Sequence, residues 1–167
     1  MAYLSHRRRA WKVIGGGGGV DTEFITSVNA GTKSAIDGFF GMKITVGGSA
    51  ITVTEVGIYG NATHYHGTFD VYVRSLTGTD LGHATVTWGT AAQFYYATLS
   101  SPITLNASTS YYIMTDDLNS DDVYISANTT VTPTAVATVD DAAFGQPPAD
   151  EGTGSNHSYG PLSFKYH

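Results

Sequence analysis

The groups in this sequence that could hold a metal or run a reaction are few, and their spacing argues against most of them. His64 and His66 stand two apart, which on a strand would put both imidazoles on one face, as a pair of zinc ligands needs. They sit in the turn-like stretch NATHYHG, and no third ligand can be identified, so a transition-metal site is disfavoured. Asp117-x-Asn119-x-Asp121 opens with the spacing of a calcium loop. The glycine required at the sixth position is Asp122, however, and the twelfth position is Asn128 where Glu is needed, so the stretch is not an EF-hand. A looser calcium site there competes with the plainer reading of solvated carboxylates. Ser, His and Asp all occur, but no G-x-S-x-G elbow holds them. The five glycines from Gly15 to Gly19 lack the following Lys and Ser or Thr of a phosphate loop. The acids cannot be paired from sequence into the acid and base of glycoside cleavage. No catalytic residue, metal or cofactor is expected, and an enzyme is the least favoured class.

The strongest chemical signal is instead a division of charge. Four of the eight Lys and Arg residues, Arg7, Arg8, Arg9 and Lys12, fall in the first twelve positions with no acid among them. The rest of the chain carries four cations against 14 acids, so a tip of +4 precedes a body near −10. The stretch RRRAWK admits three readings: a solvated basic tail, a weak nucleic-acid contact through phosphates and a stacked Trp, or a docking arm. The docking arm is preferred. Arginine forks on carboxylates, with Tyr3, Leu4, Trp11, Val13 and Ile14 as apolar anchors, are the combination that dominates protein interfaces. The apolar stretch after the arginines is too short for a signal-peptide core, and no run is long enough to span a bilayer. The expected organisation is a basic arm with a poly-Gly linker over residues 1–19 and one domain over residues 20–167.

The elements of that domain read as strands. Only 13% of the 167 residues are charged, there are 20 glycines and 11 tyrosines, and Cys is absent, so the core must stand without disulfides. Phe94 to Leu99 and Tyr111 to Thr115 form the densest strand-forming runs, separated by Pro102 and a polar turn from Asn106 to Ser110, and predict consecutive antiparallel strands. A first strand is expected within Asp21 to Val28. Met42, Ile44 and Val46 alternate with polar residues up to Gly47-Gly48, which is expected to turn the chain into Ile51 and Val53. The apolar parity then slips to Val56 and Ile58, predicting a β-bulge near Thr54 and Glu55. Phe69, Val71 and Val73 are expected to face in, with Asp70, Tyr72 and Arg74 in solvent. Ala84, Val86 and Trp88 face in against outward His83, Thr85 and Thr87. Asp140 to Tyr159 reads as a long surface loop, and Leu162, Phe164 and Tyr166 as a closing strand. The whole predicts an all-β, antiparallel β-sandwich, jelly-roll-like, with the extended basic arm in front of it.

Three blocks, GMKITVGGSAITVTEVGIYG, FYYATLSSPITLNASTSYYIM and NHSYGPLSFKY, resemble a family of β-sandwich modules of unknown function found in bacterial surface proteins and phage structural proteins. The resemblance runs from about Phe24 to Tyr166 and implies the sandwich fold and a binding or structural role, with no catalytic residues to carry over. The expected function is a virion structural protein, foremost a capsid decoration or cement protein of a tailed phage, made in the host cytoplasm without a signal. Its expected partners are other copies of itself and a major capsid protein, with no membrane partner. The alternative is a carbohydrate-binding module of a fibre or adhesin, in which an exposed Tyr59, Tyr65, Tyr72, Tyr95 or Tyr124 would stack on sugar rings.

Overall fold

The computed structural model describes residues 20–29, 33–35, 38–60, 67–117, 124–126 and 129–167. Fourteen strands are found among them: β1 Thr22–Glu23, β2 Ile25–Asn29, β3 Lys33–Ala35, β4 Gly38–Val46, β5 Ile51–Tyr59, β6 Thr68–Ser75, β7 Asp80–Thr87, β8 Phe94–Leu105, β9 Ser110–Asp117, β10 Tyr124–Ser126, β11 Thr130–Pro133, β12 Ala137–Phe144, β13 Ala149–Asp150 and β14 Leu162–Tyr166. A six-stranded antiparallel sheet has the order β13-β12-β4-β9-β6-β7, and a four-stranded one the order β1-β14-β5-β8. Two short ribbons, β3 with β10 and β2 with β11, complete the described ladders.

The two large sheets pack on each other because each has one apolar face. Met42, Ile44, Val71, Val73 and Ile113 of the six-stranded sheet and Val53, Val56, Ile58, Leu162 and Phe164 of the four-stranded one share a single buried cluster. Burial of such a face is the main favourable term for a sandwich. The alternation expected for β4 to β7 is present, and the slip at Thr54 is a bulge: β5 changes register between Val53 and Glu55 against β8, and β14 changes register opposite it.

Several expectations are corrected. The dense run from Phe94 does not stop at Pro102 but continues to Leu105 as one strand. Pro102 is tolerated because the register jumps there. Thr98 pairs with Glu55 and Ile103 with Val53, which leaves residues 99–102 without ladder partners on an edge strand. Gly47-Gly48 does not close a hairpin, since β4 and β5 lie in opposite sheets and these glycines carry the chain across. The first strand breaks at Phe24, which is fully buried and stacks on Phe164 at 4.4 Å. Its N–H donates to the Phe164 carbonyl, and its own carbonyl accepts from Thr134 N–H, so β1 joins the four-stranded sheet while β2 pairs with β11.

The expected loop from Asp140 to Tyr159 is in part strand: β12 runs to Phe144 and pairs with β4, with Ala142 and Ala143 buried. Arg74 is placed on the outer face as expected, but it is buried, only 5% exposed. The turn after β12 folds over that face. Gly145 N–H donates to the Phe39 carbonyl, Pro148 comes within 3.3 Å of the position of a Cβ on Gly78, and Asp150 bonds the Tyr112 hydroxyl and Lys43 Nζ. Under this cover the Arg74 guanidinium lies 4.2 Å from the Phe39 ring centroid and 4.6 Å from that of Tyr72, while its Nε and Nη1 find no hydrogen-bond partner. Ring faces take the place of an ion pair.

Asp141 fastens the chain that follows. Its carboxylate accepts hydrogen bonds from the N–H groups of Gly152, Thr153 and Gly154 and from the Thr153 hydroxyl. Burial works against its charged form, but these donors outweigh burial and hold the carboxyl below its ordinary value of 3.8. A folded-state pKa below the unfolded one stabilises the fold above the unfolded value, and that stabilisation is lost as pH falls through the folded value. Asp141→Asn turns an N–H donor toward at least one of these N–H groups and is expected to cost about 1–2 kcal/mol at pH 7, allowing for the partial exposure of the site. In urea unfolding the gap between variant and parent should narrow as pH falls below 3.8; a gap independent of pH would mean that the charge contributes nothing. Trp88, 5% exposed and edge-to-face with Phe69 at 5.4 Å, is expected to lose about 3–5 kcal/mol on Trp88→Ala. An unchanged unfolding midpoint would contradict its place in the core.

Candidate ligand groove

On the outer side of the four-stranded sheet, the bulged pairing of β5 with β8 aligns an aromatic row. Tyr96 lies across Gly57, where a Cβ would stand 2.5 Å from Tyr96 Cδ1, so the ring needs the glycine beneath it. The Tyr96 hydroxyl donates to Ser163 Oγ at 3.2 Å, and burial pushes the phenol pKa well above its ordinary value. Lys165 sits 4.5 Å from the Tyr96 ring centroid and pairs with Glu55 at 2.8 Å, which caps this end of the row. Phe94 follows, its centroid 5.9 Å from that of Tyr96, and Tyr59 follows Phe94 at 5.2 Å with the two rings at 70°.

The row ends in a groove of about 470 Å³ between β2, Tyr59 and residues 92–94. Glu23, Thr26, Ser27 and Gln93 line it beside the two rings. Its frame is fixed by backbone bonds from Gly60 N–H to the Gln93 carbonyl, from Tyr59 N–H to the Pro161 carbonyl, and from Ile25 N–H to Ser163 Oγ. Thr26 and Ser27 donate their hydroxyls to Thr132, and each hydroxyl oxygen keeps acceptor capacity. A second, more open groove of about 550 Å³ runs between the edge strands β7 and β8 past Asp80, His83, Thr85, Thr98 and Ser100. His83 is held there by Asp80 at 2.8 Å and tilts onto Tyr72 at 5.0 Å.

The residues singled out in the sequence are distributed unevenly over this surface. Tyr3, Leu4, Arg7, Arg8, Arg9, Trp11 and Lys12 lie outside the described residues, as do His64, His66, Tyr65, Asn119 and Asp121. Of Asp117 and Tyr124 the backbone alone is described, at the end of β9 and the start of β10. Tyr95 is not an exposed platform: its hydroxyl accepts from Ala91 N–H, and its ring fills the space beside Gly60 and Gly89. Tyr72 is half-buried on the outer face of the six-stranded sheet, against Phe39 and His83. Of the described tyrosines named beforehand, Tyr59 lines the smaller of these two grooves. Sequence reasoning missed Glu23, Thr26, Ser27, Gln93 and Phe94 as its companions, because nothing local links residues 23–28 to residues 92–94. Among the described residues, no three His, Asp or Glu side chains converge as metal ligands would.

The architecture defines a class, the antiparallel β-sandwich domain, without naming a reaction. The chain belongs to the family described as DUF4082, domain of unknown function, whose model matches residues 23–159. That match begins in β1 and ends just short of β14, the strand that sits between β1 and β5. A search of curated proteins finds no match.

Proposed function

We propose that this protein is a structural component of a virus particle, a capsid-decorating or cementing subunit of a tailed phage that docks through residues 1–19. The observation that carries this reading is the opposition of charge between those residues and the sandwich that follows. The buried hydrophobic residues described begin at Phe24 and draw on strands from β2 to β14. Strand β1 is already tied to β14, and Asp21 to His167 at 3.0 Å, at the point where residues 1–19 join the domain. In this reading the segment that carries Arg7, Arg8, Arg9, Trp11 and Lys12 binds an acidic surface. That surface belongs to a neighbouring copy or to a shell protein. Repeated weak docking on a lattice suits small symmetric oligomers that exchange extended arms. The resemblance to modules of phage structural and bacterial surface proteins points the same way.

Light scattering on the full chain and on a version beginning at Val20 tests this reading. The full chain should form a defined oligomer and the shortened one a monomer, and monomers in both cases would rule out arm exchange between copies. Replacing Arg7, Arg8 and Arg9 with Ala should weaken association, and added salt should reproduce the loss when the contact is exposed.

A further inference from the structure

We propose that the groove bounded by Glu23, Thr26, Ser27, Tyr59, Gln93 and Phe94 binds a neutral glycan, a property separate from docking through residues 1–19. Its volume of about 470 Å³ falls in the range of small-ligand sites, roughly 300–1,000 Å³. Tyr59 and Phe94 are both half-buried and meet edge to face at 5.2 Å and 70°, which fixes the orientation of both rings at the groove. Such rings pack against the C–H face of a pyranose, an apolar surface ringed by hydroxyls.

The polar groups around the rings complement that hydroxyl rim. Glu23 supplies a carboxylate acceptor, Gln93 both a donor and an acceptor, and Thr26 and Ser27 further acceptor oxygens. Among the described residues, neither Glu23 nor Gln93 uses its side-chain polar atoms in a hydrogen bond within the chain, so both are available to a ligand. The charge of the groove selects the class of glycan. Among the described residues Glu23 is the one carboxylate along its wall and no Lys or Arg lines it; Lys165, opposite Glu23 in the ladder, is held by Glu55 at 2.8 Å, so the groove favours a neutral sugar over an anionic one. The floor is already rigid, since Ile25 is buried and its N–H is bonded to Ser163. Little ordering is therefore left for the ligand to impose.

The test is an amide-resolved NMR titration of the full chain with hexasaccharides of glucose, mannose, galactose and N-acetylglucosamine. At least one should give saturable shifts centred on residues 25–28 and 92–94. The double variant Glu23→Gln with Gln93→Ala changes two exposed side chains, and its unfolding midpoint should match that of the parent. It should bind about tenfold more weakly or worse, as the loss of one to two hydrogen bonds implies. Tyr59→Ala should abolish the shifts. Absence of saturable shifts with all four sugars, shifts centred elsewhere, or a double variant of unchanged affinity would each overturn the assignment. None of these results bears on the masses that test the arm.

Discussion

Two sheets that each have one apolar face must bury those faces on each other, and the rest of the structure follows from this. The chain meets the requirement by changing sheets repeatedly. It leaves the six-stranded sheet after β4, enters the four-stranded one at β5, returns for β6 and β7, and crosses again into β8 and back into β9. No half of the sequence can therefore bury its apolar residues alone. Closure comes from the ends: β14 lies between β1 and β5, and Phe24 stacks on Phe164 where the first strand divides between two ladders. The sandwich is complete when its last strand is in place, which agrees with the single buried cluster that draws on both sheets.

Much of this was legible in the sequence, for a simple reason. Where a strand has one face in the core, its apolar residues recur every second position, and the alternation in Met42, Ile44 and Val46 or in Ala84, Val86 and Trp88 reports that face directly. Even the bulge near Thr54 was visible as a slip of parity. What alternation cannot report is a second covering layer. Arg74 and Tyr112 stand on the outer side of the six-stranded sheet with every local sign of solvent exposure. They are buried because a turn some 70 residues after Arg74 folds across them, with Asp150 reaching Tyr112. Partner choice was hidden in the same way. The residues around Gly47-Gly48 look like a hairpin, and it is the apolar face of β5, needed by the opposite sheet, that makes them a crossing.

The groove was less legible than the fold. Tyr59 could be named as an aromatic on a strand, but Glu23 and Gln93 are ordinary surface residues until the fold brings β1 and β2 beside the start of β8. A binding surface assembled from distant segments leaves no spacing to read, whereas a local ligand loop would. The charge division works in the opposite way, being obvious in the sequence and requiring no fold at all. The two proposed activities thus rest on different kinds of observation, one on residues 1–19 and one on the geometry of the sandwich.

Both rest on the claim that the domain from Val20 onward is structurally complete. Overlaying the amide spectra of the full chain and of the chain beginning at Val20 measures this most directly. The resonances of residues 24–166 should superimpose, with differences confined to the neighbourhood of Asp21 and His167. A shortened chain whose spectrum collapses to narrow, unfolded dispersion would contradict the account, because residues 1–19 would then be part of the fold itself.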